Sequence, residues 1–391
     1  MSNSNTPKAN EIITIGTNDI PEVIRSHHDR LEFTLKHFGH RRGLTYPLFL
    51  SMPGVGKSES GYVTATALGR QHFDIRGGDI LPSDVRLPAA DLEKEVAKYL
   101  GNADFPFITK DGEVNKDQAI LGVLDELLDA NLPVQRMFKQ LTNDNKIGNL
   151  RCPDNTLWVA FANGLEHGCS SERMPLSNAN RTAWYEIPPS VDSFKEYLEN
   201  HPFGYPVLEA FVQTNTDAIY QIEPKNWDGK SNFASFRTLE EFGRLIEAEW
   251  TVEHGSPDDE DYKREFKGIS HDRLATAKLN AILGYSSAKK AETFLQIYEA
   301  VGSIENLLRD PKNCKIPNDL PTKWVIACKL VGESTMANVE AVMTVAQRLL
   351  GAKSFIEAYV AKSICKSKPK LQGAPCMRSW MAENALELCG R

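Results

Sequence analysis

The sequence predicts an α/β fold: a parallel sheet over the first half of the chain, then a helical region. Two observations predict it. Up to about residue 190, short apolar runs alternate with helical patterns, and strands alternating with helices build a parallel sheet. Beyond Pro188-Pro189, long helical patterns dominate.

Taken in order, a first helix is expected over residues 20–38. Pro21 suits its first turn, and Val23, Ile24, Leu31, Leu35 and Phe38 roughly follow one stripe. Strands are expected at 47–50, 71–75, 119–124, 157–162 and 182–187. Helices at 57–68, 92–100 and 132–141 fall between them. Later helices are expected at 239–250, 272–283, 288–300 and 336–350, with a solvated acidic loop at 256–262 and a break near 311–321. The expected domains are an α/β domain at 1–190 with an N-terminal tail and helix, a helical lid at 191–310 and a C-terminal helical region at 311–391.

Composition excludes several classes. The chain has 391 residues, 41% apolar and 25% charged, ordinary for a globular protein with a buried core. Its net charge of -7 rules out a chain that is basic throughout and wraps nucleic acid. No apolar run reaches the ~20 residues of a membrane span, and residues 1–10 lack the apolar stretch of a secretory leader. Seven cysteines, at 152, 169, 314, 328, 365, 376 and 389, are scattered without a C-x-x-C pair. That pattern points to free thiols in a reducing cytoplasm.

The strongest motif is SMPGVGKS at residues 51–58. An apolar strand enters it and a helix leaves it, the context a phosphate-binding loop needs. Gly54 and Gly56 let backbone N–H groups close around phosphate oxygens, and the positive end of the following helix faces the same anion. Lys57 would reach the β- and γ-phosphates, and the Ser58 hydroxyl would ligate Mg²⁺. The candidate nucleotide-binding residues are Pro53, Gly54, Val55, Gly56, Lys57, Ser58 and Glu59. The pattern departs at its first position, where Ser51 stands in place of glycine.

A second run, LGVLDE at 121–126, is an apolar strand ending in two carboxylates. A strand buried on both faces reads this way, and its carboxyl end is where an open α/β sheet binds ligand. Asp125 is the candidate Mg²⁺ holder and Glu126 the candidate base for the attacking water. Asn163 ends the next strand and could hold the same water or sense the γ-phosphate. Arg181 precedes the fifth strand and Arg237 opens a later helix. Either could reach a γ-phosphate, Arg181 from a neighbouring subunit and Arg237 from the lid, and Arg173 competes for the first role.

Together these residues resemble the AAA+ ATPases, more closely their MoxR-like branch. The resemblance rests on SMPGVGKS, on PSDVRLPAAD at 82–91, on LDELLDANLPVQRMFKQL at 124–141, on FANGLEHGCSSERMPLSNANR at 161–181 and on FRTLEE at 236–241. It implies a Mg²⁺-dependent ATP hydrolase assembling as a ring, commonly a hexamer, that remodels a protein partner, often one with a von Willebrand A domain. It assigns Lys57 and Ser58 to Walker A, Asp125 and Glu126 to Walker B, Asn163 to sensor 1, Arg181 to the finger and Arg237 to sensor 2. Residues 146–162 fit the family's hairpin before sensor 1, with its turn near Asp154-Asn155. VRLP at 85–88 lacks the glycine the family places after its arginine.

Other signals carry less. His27, His28, His37 and His40 cluster near a helix without a carboxylate or cysteine at ligand spacing. NKDQ at 115–118 lacks the aspartate of a guanine-reading motif. Lys362, Lys366, Lys368, Lys370 and Arg378 make the C-terminal stretch basic, read as a solvated face. The alternative readings are a nucleic-acid-translocating motor of the same fold, a small-molecule P-loop kinase, and a module that holds ATP without cleaving it.

Overall fold

The computed structural model describes residues 12–41, 43–93, 96–110, 112–164, 172–200, 206–220, 230–252, 264–266, 273–352 and 354–384. The expected tail at 1–10, the acidic loop at 256–262, Cys169 and Cys389 lie outside them. The described residues fall into two compact units, one ending at Ser190 and one starting at Val191.

The first unit contains β1 (Ile13–Thr14), α1 (Ile20–Phe38), β2 (Tyr46–Ser51), α2 (Lys57–Ala67), β3 (Gln71–Arg76), α3 (Pro82–Val85), β4 (Arg86–Asp91), β5 (Val96–Gly101), β6 (Ile120–Asp125), α4 (Leu132–Asp144), β7 (Lys146–Ile147), β8 (Leu150–Arg151), β9 (Thr156–Ala162), α5 (Leu176–Ala179) and β10 (Thr182–Ile187). Six strands form one sheet in the order β1-β10-β2-β9-β6-β3, and every pairing is parallel. With its helical second unit, this is an α/β fold with a parallel sheet core, as the sequence predicts.

Helices cover both faces of the sheet, which is why the central strands are apolar along their whole length. Alternate residues point to opposite faces. Phe49, Leu121, Val123, Val159 and Phe161 meet Ile20, Ile24 and Leu31 of α1 and Ala65 of α2. Leu48, Leu50, Leu124, Trp158 and Ala160 meet Val134, Met137, Phe138 and Leu141 of α4. Gly122 gives up its side chain on this second face because a Cβ there would collide with the Trp158 ring. Asn131 starts α4 by accepting from the Val134 amide at 3.1 Å, and Gly39 ends α1 in the left-handed conformation.

His27 lies buried on α1 against Tyr185. Burial, and secondarily Arg30, push its imidazole down to about 4. The unfolded chain protonates this residue near 6.5, so the folded state loses stability as pH falls from about 6.5 to about 4. Denaturant unfolding across that range should show the slope, and His27→Gln should flatten it. An unchanged slope in the variant would assign it to other groups. His28 does lie 3.1 Å from Asp29 and 3.7 Å from Glu32, contrary to the spacing argument, but Glu32 also accepts from Arg70 at 2.8 Å. Among the described residues no three metal-ligating side chains converge.

Two expectations fail in this unit. Residues 92–93 and 96–100 are not helical: β4 and β5 pair antiparallel, Leu87 with Leu100 and Pro88 with Tyr99. Leu92, Val96 and Leu100 follow a four-residue spacing that imitates a helix stripe, yet all three are exposed. A distant residue helps hold the strand: the Asn149 side chain accepts from the Tyr99 amide at 2.8 Å and donates to its carbonyl at 3.1 Å. The hairpin before β9 also turns elsewhere. β7 and β8 close around Gly148-Asn149, with Gly148 at φ 59°, while Asp154-Asn155 forms a separate turn into β9.

The second unit contains α6 (Val191–Asn200), α7 (Pro206–Thr214), α8 (Phe236–Glu249), a hairpin of β11 (Trp250–Val252) and β12 (Arg264–Phe266), α9 (Arg273–Leu283), α10 (Tyr285–Val301), α11 (Glu305–Arg309), α12 (Leu320–Glu333), α13 (Val339–Leu350), α14 (Phe355–Ser367) and α15 (Pro375–Glu383). Helix α12 packs against α7, α10, α13 and α14 and buries seven residues from Trp324 to Val331, as a helix apolar on most sides must. The basic residues of this unit are not simply solvated. Lys368 donates to the Gly332 and Ser334 carbonyls at the end of α12, both at 2.7 Å. Lys366 donates to Leu198 in α6 at 3.3 Å, and Arg378 to the Gly373 carbonyl. Cations at helix ends satisfy carbonyls the helix leaves open, which corrects the reading of a solvated face. No helix among the described residues is long and apolar enough to cross a membrane.

Candidate phosphate site

The carboxyl ends of four adjacent strands build the site. Leu50 is level with Ala162, which aligns Ser51 with Asn163, and Arg76 is level with Asp125. Each strand thus delivers one or two polar residues to one edge, where an open parallel sheet binds ligand.

The loop after β2 needs its glycines for conformation. Gly54 and Gly56 have φ of 79° and 91°, a region other residues enter at a cost. A Cβ on Gly56 would meet nothing within 4 Å, so φ, not space, selects glycine there. Gly56 is the N-cap of α2, which leaves the first amides of that helix directed at the loop. Val55 is buried beneath the loop, and Glu59 is exposed on the first turn of α2. Pro53 and Gly54 are half-buried.

Lys57 is buried. Its Nζ donates to Ser51 Oγ at 2.6 Å and to Asn163 Oδ1 at 2.9 Å, with the Ser51 carbonyl at 3.5 Å. Ser58 Oγ donates to Asp125 Oδ2 at 2.6 Å. The other Asp125 oxygen accepts from the Glu126 amide at 2.9 Å. Ser58 and Asp125 thus offer a hydroxyl and a carboxylate side by side. That all-oxygen pair suits Mg²⁺, which takes one or two carboxylates and completes its shell with water and phosphate.

Glu126 sits at φ 52°, a strained conformation for a non-glycine residue and one that collects at functional sites. Two neighbours permit it. A Cβ on Gly77 would lie 2.9 Å from the Glu126 carbonyl, and one on Gly78 would lie 2.9 Å from Glu126 Oε2. Burial raises the Glu126 pKa, and Asp125, Asp129 and Asp79 raise it further, while Arg76 opposes them. The Asp74 carboxyl is raised as well, by burial and then by Asp125. A carboxylate held in this way is the better proton acceptor.

That balance gives a prediction. If deprotonated Glu126 is the base, the acidic limb of kcat/KM should move to higher pH in Arg76→Ala and to lower pH in Asp79→Asn. The first change removes a positive neighbour that favours the anion; the second removes a negative one that disfavours it. A pH profile of both variants in which the limbs stay put, or move the other way, would detach the limb from Glu126.

The sequence-expected residues do not all converge. The structure brings together Lys57, Ser58, Asp125, Glu126 and Asn163. Arg181 is exposed before β10, at the far end of the sheet: Thr182 is level with Tyr46 and Ile187 with Ser51. At about 3.3 Å per residue, roughly 20 Å of strand separates Arg181 from its own loop, beyond the reach of the side chain. Arg173 is exposed beside Glu172, whose amide donates to the Leu128 carbonyl just after β6 at 2.7 Å. Arg237 is exposed in the first turn of α8, in the second unit. Sequence reasoning missed Arg76, Gly77, Gly78 and Asp79. The Gly-Gly pair directly after an expected strand was the available signal.

No protein-family model matches the chain, and no curated protein does. Among solved structures it is similar to two variants of RuvB from Thermotoga maritima. Both are 12% identical; one match covers 73% of this chain and 77% of RuvB with a TM-score of 0.33, the other 74% and 80% with 0.34. It is also similar to Hsp104 in a closed state with ATPγS and casein, at 15% identity and a TM-score of 0.34, covering 60% of this chain and 46% of Hsp104. The fold assignment rests on this chain's own sheet, loop and strand-end residues.

Proposed function

We propose that this protein is a Mg²⁺-dependent ATP hydrolase of the AAA+ class that works as a ring and remodels a protein partner in the MoxR-like manner. The observation that carries the reading is the Ser58–Asp125 pair at 2.6 Å, beside a loop built for phosphate and next to a strained glutamate with a raised pKa. A fold alone would not carry a function.

The loop amides and the N-terminus of α2 bind the phosphates. Lys57 supplies positive charge at the β- and γ-phosphates. Ser58 and Asp125 would hold Mg²⁺, which neutralises charge developing on phosphate oxygens. Glu126 accepts the proton of the attacking water, and Asn163 keeps Lys57 in place. Arg181 serves the site of the neighbouring subunit. Its place at the opposite end of the sheet supports this role in trans and gives it none in its own site. Arg237 is assigned to the same γ-phosphate through the motif resemblance alone, as are the hexameric state and a von Willebrand A partner. The buried thiols of Cys152 and Cys328 suit a cytoplasmic setting.

The test pairs oligomeric mass with phosphate release. With Mg²⁺ and a slowly hydrolysed ATP analogue, light scattering should show a closed assembly of several copies, and Mg²⁺-ATP should yield free phosphate. A monomer at every nucleotide concentration, passing phosphate to a small acceptor, would instead establish the kinase reading.

A further inference from the structure

The loop opens on serine where the motif has glycine, and the geometry gives that hydroxyl a use. Ser51 is fully buried at the last position of β2. Its Oγ donates to the Met52 carbonyl at 2.7 Å. The proton is thereby committed, and a lone pair is left for the Lys57 ammonium at 2.6 Å. The same ammonium donates to Asn163 Oδ1 at 2.9 Å, so the ends of β2 and β9 hold it from two directions. A glycine would keep the Ser51 carbonyl and lose the hydroxyl.

We propose that Ser51 is a positioning residue whose hydroxyl, together with the Asn163 amide, fixes the Lys57 ammonium before any nucleotide arrives. This rests on the phosphate-binding reading above. The physical gain is preorganisation. Lysine loses much rotamer freedom when ordered, and here that ordering is met during folding instead of on binding. The contacts are neutral oxygens to a cation, stronger than bonds between neutral groups, yet they leave the ammonium its charge for phosphate.

Ser51→Ala and Ser51→Gly in the full chain test this with two independent readouts. In nucleotide-free protein, acylation of Lys57 by an amine-specific reagent, followed by mass spectrometry against other lysines, should run several-fold faster in both variants. Affinity for Mg²⁺ with a slowly hydrolysed ATP analogue should fall by about tenfold in both, and the loss should show in KM more than in kcat. Ser51→Gly is the sharper variant, because it restores the usual motif and its backbone, with no positive φ at this position, accepts glycine. Binding by Ser51→Gly as tight as that of the natural chain would overturn the proposal, as would unchanged labelling of Lys57. Faster labelling in a protein that binds no nucleotide at all would uphold the hold on Lys57 and strike down the functional reading instead.

Discussion

Replacing Glu126 with glutamine leaves nucleotide binding nearly unchanged and lowers ATP turnover by about 10² to 10⁴-fold, the usual contribution of a positioned general base. Glutamine keeps the size of the side chain and its place against Gly78, but its amide cannot accept the proton of the attacking water. Binding survives because Lys57, Ser58 and Asp125 make their contacts without Glu126. The like charges of Asp125, Asp129 and Asp79 that raise the Glu126 pKa are relieved in the variant, so its stability should not suffer. Steady-state phosphate release and equilibrium binding of ATP decide the matter. Turnover near that of the natural chain would remove Glu126 from the chemistry.

Substituting Arg181 by alanine should lower turnover by about 10³ to 10⁵-fold, the range for an arginine finger, with monomer folding intact. The side chain is exposed, so its removal leaves no cavity. On the proposed reading, its distance from its own loop makes the effect intermolecular. Mixing Arg181→Ala subunits with Lys57→Ala subunits should therefore recover activity, because some interfaces then combine an intact finger with an intact loop. Verified mixed assemblies with no recovery would exclude action in trans. If Arg173 is the finger instead, Arg181→Ala retains its activity and Arg173→Ala loses it.

Much of the sheet was legible because its signals are local. An apolar run between turn residues and helices can be read without knowing what packs against it, and the strand ends at Ser51, Asp125 and Ala162 fall within one residue of the expected ends at 50, 124 and 162. The β4–β5 hairpin was not legible. Its apolar spacing suits a helix, and what fixes it as a ribbon includes Asn149, about fifty residues away. The strain at Glu126 was also hidden, since it depends on room left by Gly77 and Gly78 just beyond the end of β3. In the sequence Ser51 is visible only as a departure from the motif. Only its neighbours in space, Lys57 and the Met52 carbonyl, show that the hydroxyl is engaged. The C-terminal lysines teach the same point: a charge run gives no sign that its members end on helix carbonyls.

The central claim is that a triphosphate binds over residues 53–58 with Lys57 at its phosphates. Equilibrium titration of a slowly hydrolysed ATP analogue, with Mg²⁺ present, into the natural chain and into Lys57→Met tests it most directly. The account predicts saturable binding that weakens by about a hundredfold in the variant, the loss expected when a charged hydrogen-bonding group is removed from a polyanion. Equal affinity in the two proteins, or no binding by the natural chain, would contradict it.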